Sequence, residues 1–255
     1  VGNKLNLKRT DFFTYIELNR PEKRNAIDYE VIEQLHVMLD EVKEKQEDKC
    51  LVITGTGEDA FCSGGDLSVF HELYTKEDAY QMLHQMSRVL FKLYALNIPT
   101  VALLNGLAIG GGAELATACD FRLAAPQSKI GFVQGKLAIT TGWGGASMLM
   151  ERLRPEDAFE MLLSCQIYSA QQAKELGFVQ QVLGNNDVKT EAENHFSAWR
   201  NVPLQVLKAY KQRKLDRTNL SSLKGRIQKE VEECSILWET DIHHQAVEVF
   251  RQRKR

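Results

Sequence analysis

Gly110-Gly111-Gly112 followed by Glu114 is the segment of this chain best suited to chemistry. Glycines let a backbone pass close to a ligand. If a helix begins there, its first N–H groups lack partners inside the helix and face a site that favours negative charge. Donors placed this way can hold a developing oxyanion. Glu114, in the first helical turn, could point a carboxylate into the same space. The same residues also fit a tight turn in which Glu114 only complements the helix dipole. Two other loops carry glycine. Gly55-Thr56-Gly57-Glu58-Asp59-Ala60 has the GxGxxA form, but a dinucleotide site then needs a helix. Here the chain continues Phe61-Cys62-Ser63-Gly64-Gly65-Asp66, which is turn-like, so an ordinary strand-to-loop turn is the better reading. Trp143-Gly144-Gly145 closes a third loop, 135–145. Phosphate-loop, nucleophile-elbow and EF-hand patterns are missing, and His71-Glu72 lacks the second histidine of a zinc helix.

The elements that position these loops read as alternating strands and helices. Phe12, Thr14, Ile16 and Leu18 alternate like a strand. Asp28 predicts the N-cap of a helix with Val31, Ile32, Leu35, Met38, Leu39 and Val42 on one face. Cys50 to Thr54 and Thr100 to Leu104 are apolar runs suited to buried strands. Lys76 to Leu96 reads as a helix between them, and Ala113 to Ala118 as another. Phe121 to Ala125, Lys129 to Val133 and Phe178 to Leu183 are strand candidates. Glu156 to Leu163 and Ala170 to Leu176 are helical, the latter stopped by Gly177. From Val188 onward only helices follow, the last a single long one from about Ser221 to Arg253. The expected organisation is an α/β core over 1–185 and a helical region over 186–255.

Composition narrows the partners. The chain has 255 residues and a net charge of −2, with 44% hydrophobic and 26% charged residues, ordinary for a globular protein. That balance argues against broad binding to nucleic acid. No apolar stretch approaches the roughly 20 residues of a membrane span. Cys50, Cys62, Cys119, Cys165 and Cys234 are odd in number and widely spaced, which fits inert thiols in a reducing cytoplasm better than a disulfide or zinc framework. No metal site is expected. No signal peptide is visible at the start, although the chain begins at Val1 and a removed leader stays open.

Taken together the motifs resemble the crotonase superfamily, the enoyl-CoA hydratase/isomerase group. Asn19-Arg20-Pro21-Glu22-Lys23-Arg24-Asn25-Ala26 resembles its N-terminal signature. Ala60-Phe61-Cys62-Ser63-Gly64-Gly65-Asp66-Leu67 resembles its first oxyanion loop. Pro99 to Ala102, Asn105-Gly106, Gly110-Gly111-Gly112-Ala113-Glu114-Leu115 and Cys119-Asp120 resemble its central motif. The resemblance runs in order from about residue 10 to about 185. It implies a crotonase-like (ClpP/crotonase) α/β spiral of β-β-α units, with a C-terminal helical region that assembles homotrimers or dimers of trimers. The apolar marks of the last helices are then expected to be buried against neighbouring subunits. It implies an acyl-CoA thioester substrate and no cofactor, since coenzyme A enters with the substrate. The N–H groups of Gly65 and Gly111 would hold the thioester oxygen as an enolate, and Glu114 would be catalytic. CoA would meet the segment around Ala60, Cys62, Ser63, Gly64, Asp66 and Leu67, with Gly110 and Trp143 also in the site. Lys23 or Arg24 would meet its phosphates. Phe250 and Lys254 would reach a CoA bound to a neighbouring subunit.

One position departs from the pattern. The second catalytic glutamate of typical hydratases falls at Gln134. An amide can orient a water or a substrate group but cannot exchange a proton near neutral pH. Decarboxylation of a malonyl-type CoA thioester needs no base, because loss of carbon dioxide leaves the enolate directly. The segment Gly111 to Leu123, with Trp143-Gly144-Gly145, resembles the ethylmalonyl-CoA decarboxylase branch, which also lacks a glutamate at the position of Gln134. The sequence therefore points to a lyase of hydratase or decarboxylase type. A single-glutamate isomerase and a non-catalytic assembly protein are the alternatives.

Overall fold

The computed structural model describes residues 3–45, 47–184 and 187–252. β1 (Leu5–Arg9) and β2 (Phe13–Leu18) form an antiparallel hairpin, followed by α1 (Tyr29–Glu44). Then come β3 (Cys50–Gly55), β4 (Ala60–Cys62), the short α2 (Leu67–Phe70) and α3 (Lys76–Tyr94). β5 (Thr100–Leu104), β6 (Leu107–Ile109) and α4 (Gly111–Ala118) repeat that unit. β7 (Phe121–Ala124) and β8 (Lys129–Gly131) begin another, continued by a 3₁₀ turn (Gln134–Leu137), α5 (Gly145–Leu149) and α6 (Pro155–Ser164). β9 (Tyr168–Ser169), α7 (Ala170–Glu175) and β10 (Gln181–Val182) precede the helical remainder. That remainder is α8 (Val188–His195), a 3₁₀ turn (Ser197–Asn201), α9 (Leu204–Asp216), α10 (Leu220–Trp238) and α11 (Asp241–Gln252).

Each unit gives one strand to each of two sheets. One sheet has the order β1-β2-β3-β5-β7-β10 and the other β4-β6-β8-β9. β3, β5 and β7 are parallel neighbours in the first, and β4, β6 and β8 are parallel neighbours in the second. The chain thus advances one strand per turn, which makes the spiral. Both faces of the larger sheet are covered, so its strands are apolar almost throughout. Ile16, Leu18, Leu51, Ile53, Ala102 and Leu104 face the main core. Phe13, Tyr15, Val52, Val101 and Leu103 face a second one, closed by Phe196 and Leu207.

Asp28 caps α1 as its position predicts, its Oδ1 accepting from Val31 N at 3.1 Å. Several expectations need correction. β4 and β6 are three-residue strands inside segments that read as glycine loops, too short to show a period. The strand expected from Phe178 to Leu183 is confined to Gln181–Val182, because the N–H groups of Phe178 and Val179 turn back to Ala173 O. β8 stops at Gly131, short of Val133. The long final helix is two helices. Thr240 opens the second, its Oγ1 accepting from His243 N at 3.4 Å, while Trp238 Nε1 pins the first by donating to Leu73 O at 3.0 Å. Leu223, Ile227, Val231 and Trp238 of α10 are buried within this chain, packed in its main core with Leu83 and Leu90 of α3, and not left for a neighbouring subunit.

A buried ion cluster ties α9 to the sheet. Asp120, at the start of β7, accepts from Thr100 N at 3.0 Å, Lys211 Nζ at 2.5 Å and Lys214 Nζ at 2.9 Å, with Arg152 at 3.6 Å. Burial opposes ionisation of Asp120, but Lys211, Lys214 and Arg152 outweigh it and hold the carboxyl well below the usual range. No helix among the described residues is long and apolar enough to cross a membrane.

Candidate active site

The parallel strands of the smaller sheet all end on one cavity of about 710 Å³. β4 runs into Ser63-Gly64-Gly65, β6 into Gly110-Gly111, and β8 into Val133-Gln134, all on the cavity wall. Ligands of parallel sheets lie at the carboxyl ends of strands, where loops and helix N-termini converge.

Two backbone amides meet there. Gly64 O accepts from Ile27 N at 2.9 Å, so the N–H of the same trans peptide, that of Gly65, points away from Ile27. Gly110 O accepts from Glu114 N at 3.1 Å, which turns the Gly111 N–H out of the α4 N-terminus. Neither N–H donates to a backbone carbonyl among the described turn and loop bonds. Gly110 has φ +55° and ψ −123°, a region that side chains avoid, and this bend delivers the next amide to the cavity. The two loops touch: a Cβ on Gly64 would stand 3.0 Å from Gly111 N. Trp143 packs over both, so close to Gly111 that a Cβ there would stand 2.0 Å from the indole.

Glu114 is the one carboxylate among the described residues lining the cavity. Its Oε2 accepts from Trp143 N and Gly145 N, both at 2.9 Å, and its Oε1 accepts from Gln134 Nε2 at 2.9 Å. Burial is the largest influence on this carboxyl and the Glu230 carboxylate the next. Together they outweigh the amide donors and push its pKa up to about 8. The neutral form of Glu114 is thereby favoured over what an exposed carboxyl shows. Gln134 Oε1 is buried with no hydrogen-bond partner.

The far wall is helical. Cys234 and Trp238 of α10 and Ile242, His243 and Phe250 of α11 line the cavity, which is mostly apolar. His243 Nδ1 donates to Leu137 O at 2.7 Å and so ties α11 to the 3₁₀ turn that carries Gln134. Burial lowers the His243 pKa.

Of the residues expected in the site, the cavity brings together Ser63, Gly64, Gly65, Leu67, Gly110, Gly111, Glu114, Gln134, Trp143 and Phe250. Phe250, on α11, lines the cavity of its own chain. Ala60, Cys62 and Asp66 are buried behind the loop. Ala60 O accepts from Asn25 and Asn105, and Asp66 caps α2 while paired with Arg20 at 2.9 Å. Lys23 and Arg24 lie on an exposed turn off the cavity lining, joined to it where Arg24 O accepts from Ser63 N at 3.1 Å. Lys254 lies outside the described residues.

Sequence reasoning missed Glu230, His243 and Lys136. Lys136 and His243 line the cavity, and Glu230 stands behind the Trp143 loop. For Glu230 the sequence held one signal, an acidic residue between Ile227 and Val231 on the apolar face of α10.

The profile of the enoyl-CoA hydratase/isomerase family matches residues 10–253. A Bacillus subtilis protein that carries the name enoyl-CoA hydratase/isomerase YngF is 36% identical over 188 residues, covering 72% of this chain and 71% of that one. Ethylmalonyl-CoA decarboxylase of Homo sapiens is 33% identical over 214 residues, covering 82% of this chain and 69% of that one. The crystal structure of enoyl-CoA hydratase from Bacillus halodurans superposes with a TM-score of 0.88 at 23% identity, covering 96% of this chain and 99% of that one. The spiral fold, the glycine loops on one cavity and these matches make one statement: the chain belongs to the enoyl-CoA hydratase/isomerase family, the crotonase family of acyl-CoA enzymes.

Proposed function

We propose that this chain is a lyase that decarboxylates a malonyl-type CoA thioester of the methyl- or ethylmalonyl class. The observation that carries this reading is Glu114 as the one carboxylate among the described residues lining the cavity, with an amide, Gln134, beside it. Hydration needs a base to activate water as well as an acid. Glu230 does not supply it, because it lies off the cavity wall and its oxygens are taken by the Trp143 loop.

In the proposed reaction the thioester oxygen accepts from Gly65 and Gly111. The bond from Cα to the carboxylate breaks, carbon dioxide leaves, and the electron pair forms the enolate. The two donors stabilise that charge, at about 3–4 kcal/mol each in comparable sites. Glu114 then gives its proton to Cα and is reprotonated from solvent. Lys23 or Arg24 meets the CoA phosphates near the mouth, and no cofactor beyond the CoA moiety takes part. The similarity to ethylmalonyl-CoA decarboxylase supports the reading. A single-glutamate isomerase is the second reading, favoured by the same lone Glu114, which could carry a proton between carbons. Assembly into trimers is proposed from the exposed Phe159, Leu163 and Ile167 at and beyond α6.

The test is an activity panel of methylmalonyl-, ethylmalonyl-, crotonyl- and 3-enoyl-CoA read by mass spectrometry. Loss of carbon dioxide from a malonyl-type thioester is expected. Turnover of crotonyl-CoA or the 3-enoyl thioester alone would overturn the reading.

A further inference from the structure

Four amides of the Trp143 loop and the start of α5 serve two buried carboxylates. Trp143 N and Gly145 N donate to Glu114, while Ala146 N and Ser147 N donate to Glu230 on α10. We infer that Glu114 and Glu230 form a carboxylate pair that shares one proton across this loop, in which Glu230 is the fixed anion and keeps the proton on Glu114. Glu230 is thus a positioning residue, and this deepens the reading of Glu114 as proton donor.

The hydrogen bonds assign the roles. Two carboxylates buried on either side of one loop do not both ionise readily, so the pair holds a proton near neutral pH. Both lone-pair sites of each Glu230 oxygen are engaged. Oε1 accepts from Thr141 Oγ1 at 2.5 Å and Ala146 N at 3.1 Å. Oε2 accepts from Ser147 N at 2.8 Å and Ser147 Oγ at 2.7 Å. A proton on Glu230 has to reverse the Thr141 or Ser147 hydroxyl, and the Thr141 hydroxyl already accepts from Ala146 N at 3.2 Å. Glu114 differs. Its Oε2 takes both amides, but its Oε1 meets only the Gln134 side-chain amide, whose oxygen and nitrogen exchange places by a half-turn. After that half-turn Glu114 Oε1–H donates to Gln134 Oε1, and Nε2 takes the buried position where Oε1 otherwise has no partner.

The remaining surroundings do not compete for this role. Cys234 on α10, His243 on α11 and Lys136 on the 3₁₀ turn share the cavity with Glu114. α5, β4, β5 and β6 contain no Asp, Glu, Lys, Arg or His, and α3 turns Met82 and Leu83 to the cavity. Arg122 and Arg152 bind carbonyls at the opposite end of α4 and lie beside Asp120.

The test is difference infrared spectroscopy of the carboxylic-acid carbonyl in the full chain, titrated from about pH 5 to 9, the range between an ordinary carboxyl and a raised one. Wild type minus Glu114→Gln is expected to show a neutral carboxyl at pH 7. In Glu230→Gln its midpoint is expected to fall by about one unit or more, at least a tenfold drop in the ratio of acid to carboxylate. The alkaline limb of kcat should move with it while KM for the thioester stays. An unmoved midpoint, with kcat lowered equally at every pH, would show a purely structural role and overturn the inference. Glu114→Gln alone gives a second check that does not depend on the folding of Glu230→Gln. A neutral carboxyl persisting there at pH 7 would place the proton on Glu230 and also overturn it. The infrared result stands without any substrate, so its failure is separate from failure of the decarboxylase reading in the activity panel.

Discussion

Replacing Gly111 by alanine tests the construction of the site most directly. The added Cβ would stand 2.0, 2.5 and 2.7 Å from three atoms of the Trp143 ring, where ordinary contacts begin at 3.4 Å. One of the two must retreat by about 1.4 Å, far outside the repulsive wall of any carbon pair. The Trp143 loop is not free to do so. Its N–H groups are held by Glu114 at 2.9 Å, and a Cβ on Gly144 or Gly145 would already crowd Ile227 or Glu114. The ring must therefore swing toward the cavity, or the Gly111 amide must leave its place. Overpacking of this kind costs about 1–3 kcal/mol, a fall in Tm of roughly 2–12 °C for a chain of this size. Loss of one oxyanion donor costs about 10²–10³ in kcat. The assay is turnover of the thioester identified by the activity panel, with thermal unfolding of the same samples. Adding Trp143→Leu should recover much of the lost Tm by making room. A Gly111→Ala variant with unchanged Tm and unchanged turnover would refute both the close packing and the role of this amide.

Other outcomes follow from the same geometry. Glu114→Gln should lower turnover by at least about 10²-fold, the scale of a lost proton donor, and leave binding of a CoA thioester, measured by thermal shift, intact. Because the folded carboxyl titrates above its unfolded value, its stabilising contribution is complete below about pH 4 and is lost as pH rises toward about 8. Glu114→Gln should therefore flatten the decline of Tm across that window, and parallel curves for variant and wild type would refute the assignment. Gln134→Glu, which places a carboxylate against Glu114 at the 2.9 Å contact, should raise hydration of crotonyl-CoA above background in a spectrophotometric assay. Lys211→Met should cost about 3 kcal/mol in urea unfolding, since it strips one partner from the buried Asp120 charge. The cost stays near the lower end because Lys214 and Arg152 remain.

The long apolar strands and amphipathic helices were legible because their pattern extends over several residues. Cys50 to Thr54, Thr100 to Leu104 and the face of α1 were each read close to their observed bounds. The hinge at Glu239-Thr240 was not, although a threonine before Asp241 is an ordinary cap signal, because the flanking helices share a charged surface that hides the break.

Residue type and order along the chain determined the glycine loops, the acid Glu114 and the substitution Gln134, since backbone freedom and proton chemistry belong to single residues. What those residues do together was decided only in three dimensions. Gly65 and Gly111 are 46 positions apart in the chain and become neighbours because β4 and β6 pair in parallel. The pKa of Glu114 is raised because folding buries it and brings Glu230, 116 positions away, to the other side of the Trp143 loop. A pKa depends on desolvation and on the nearest charges, and neither quantity exists until the chain has closed around the site.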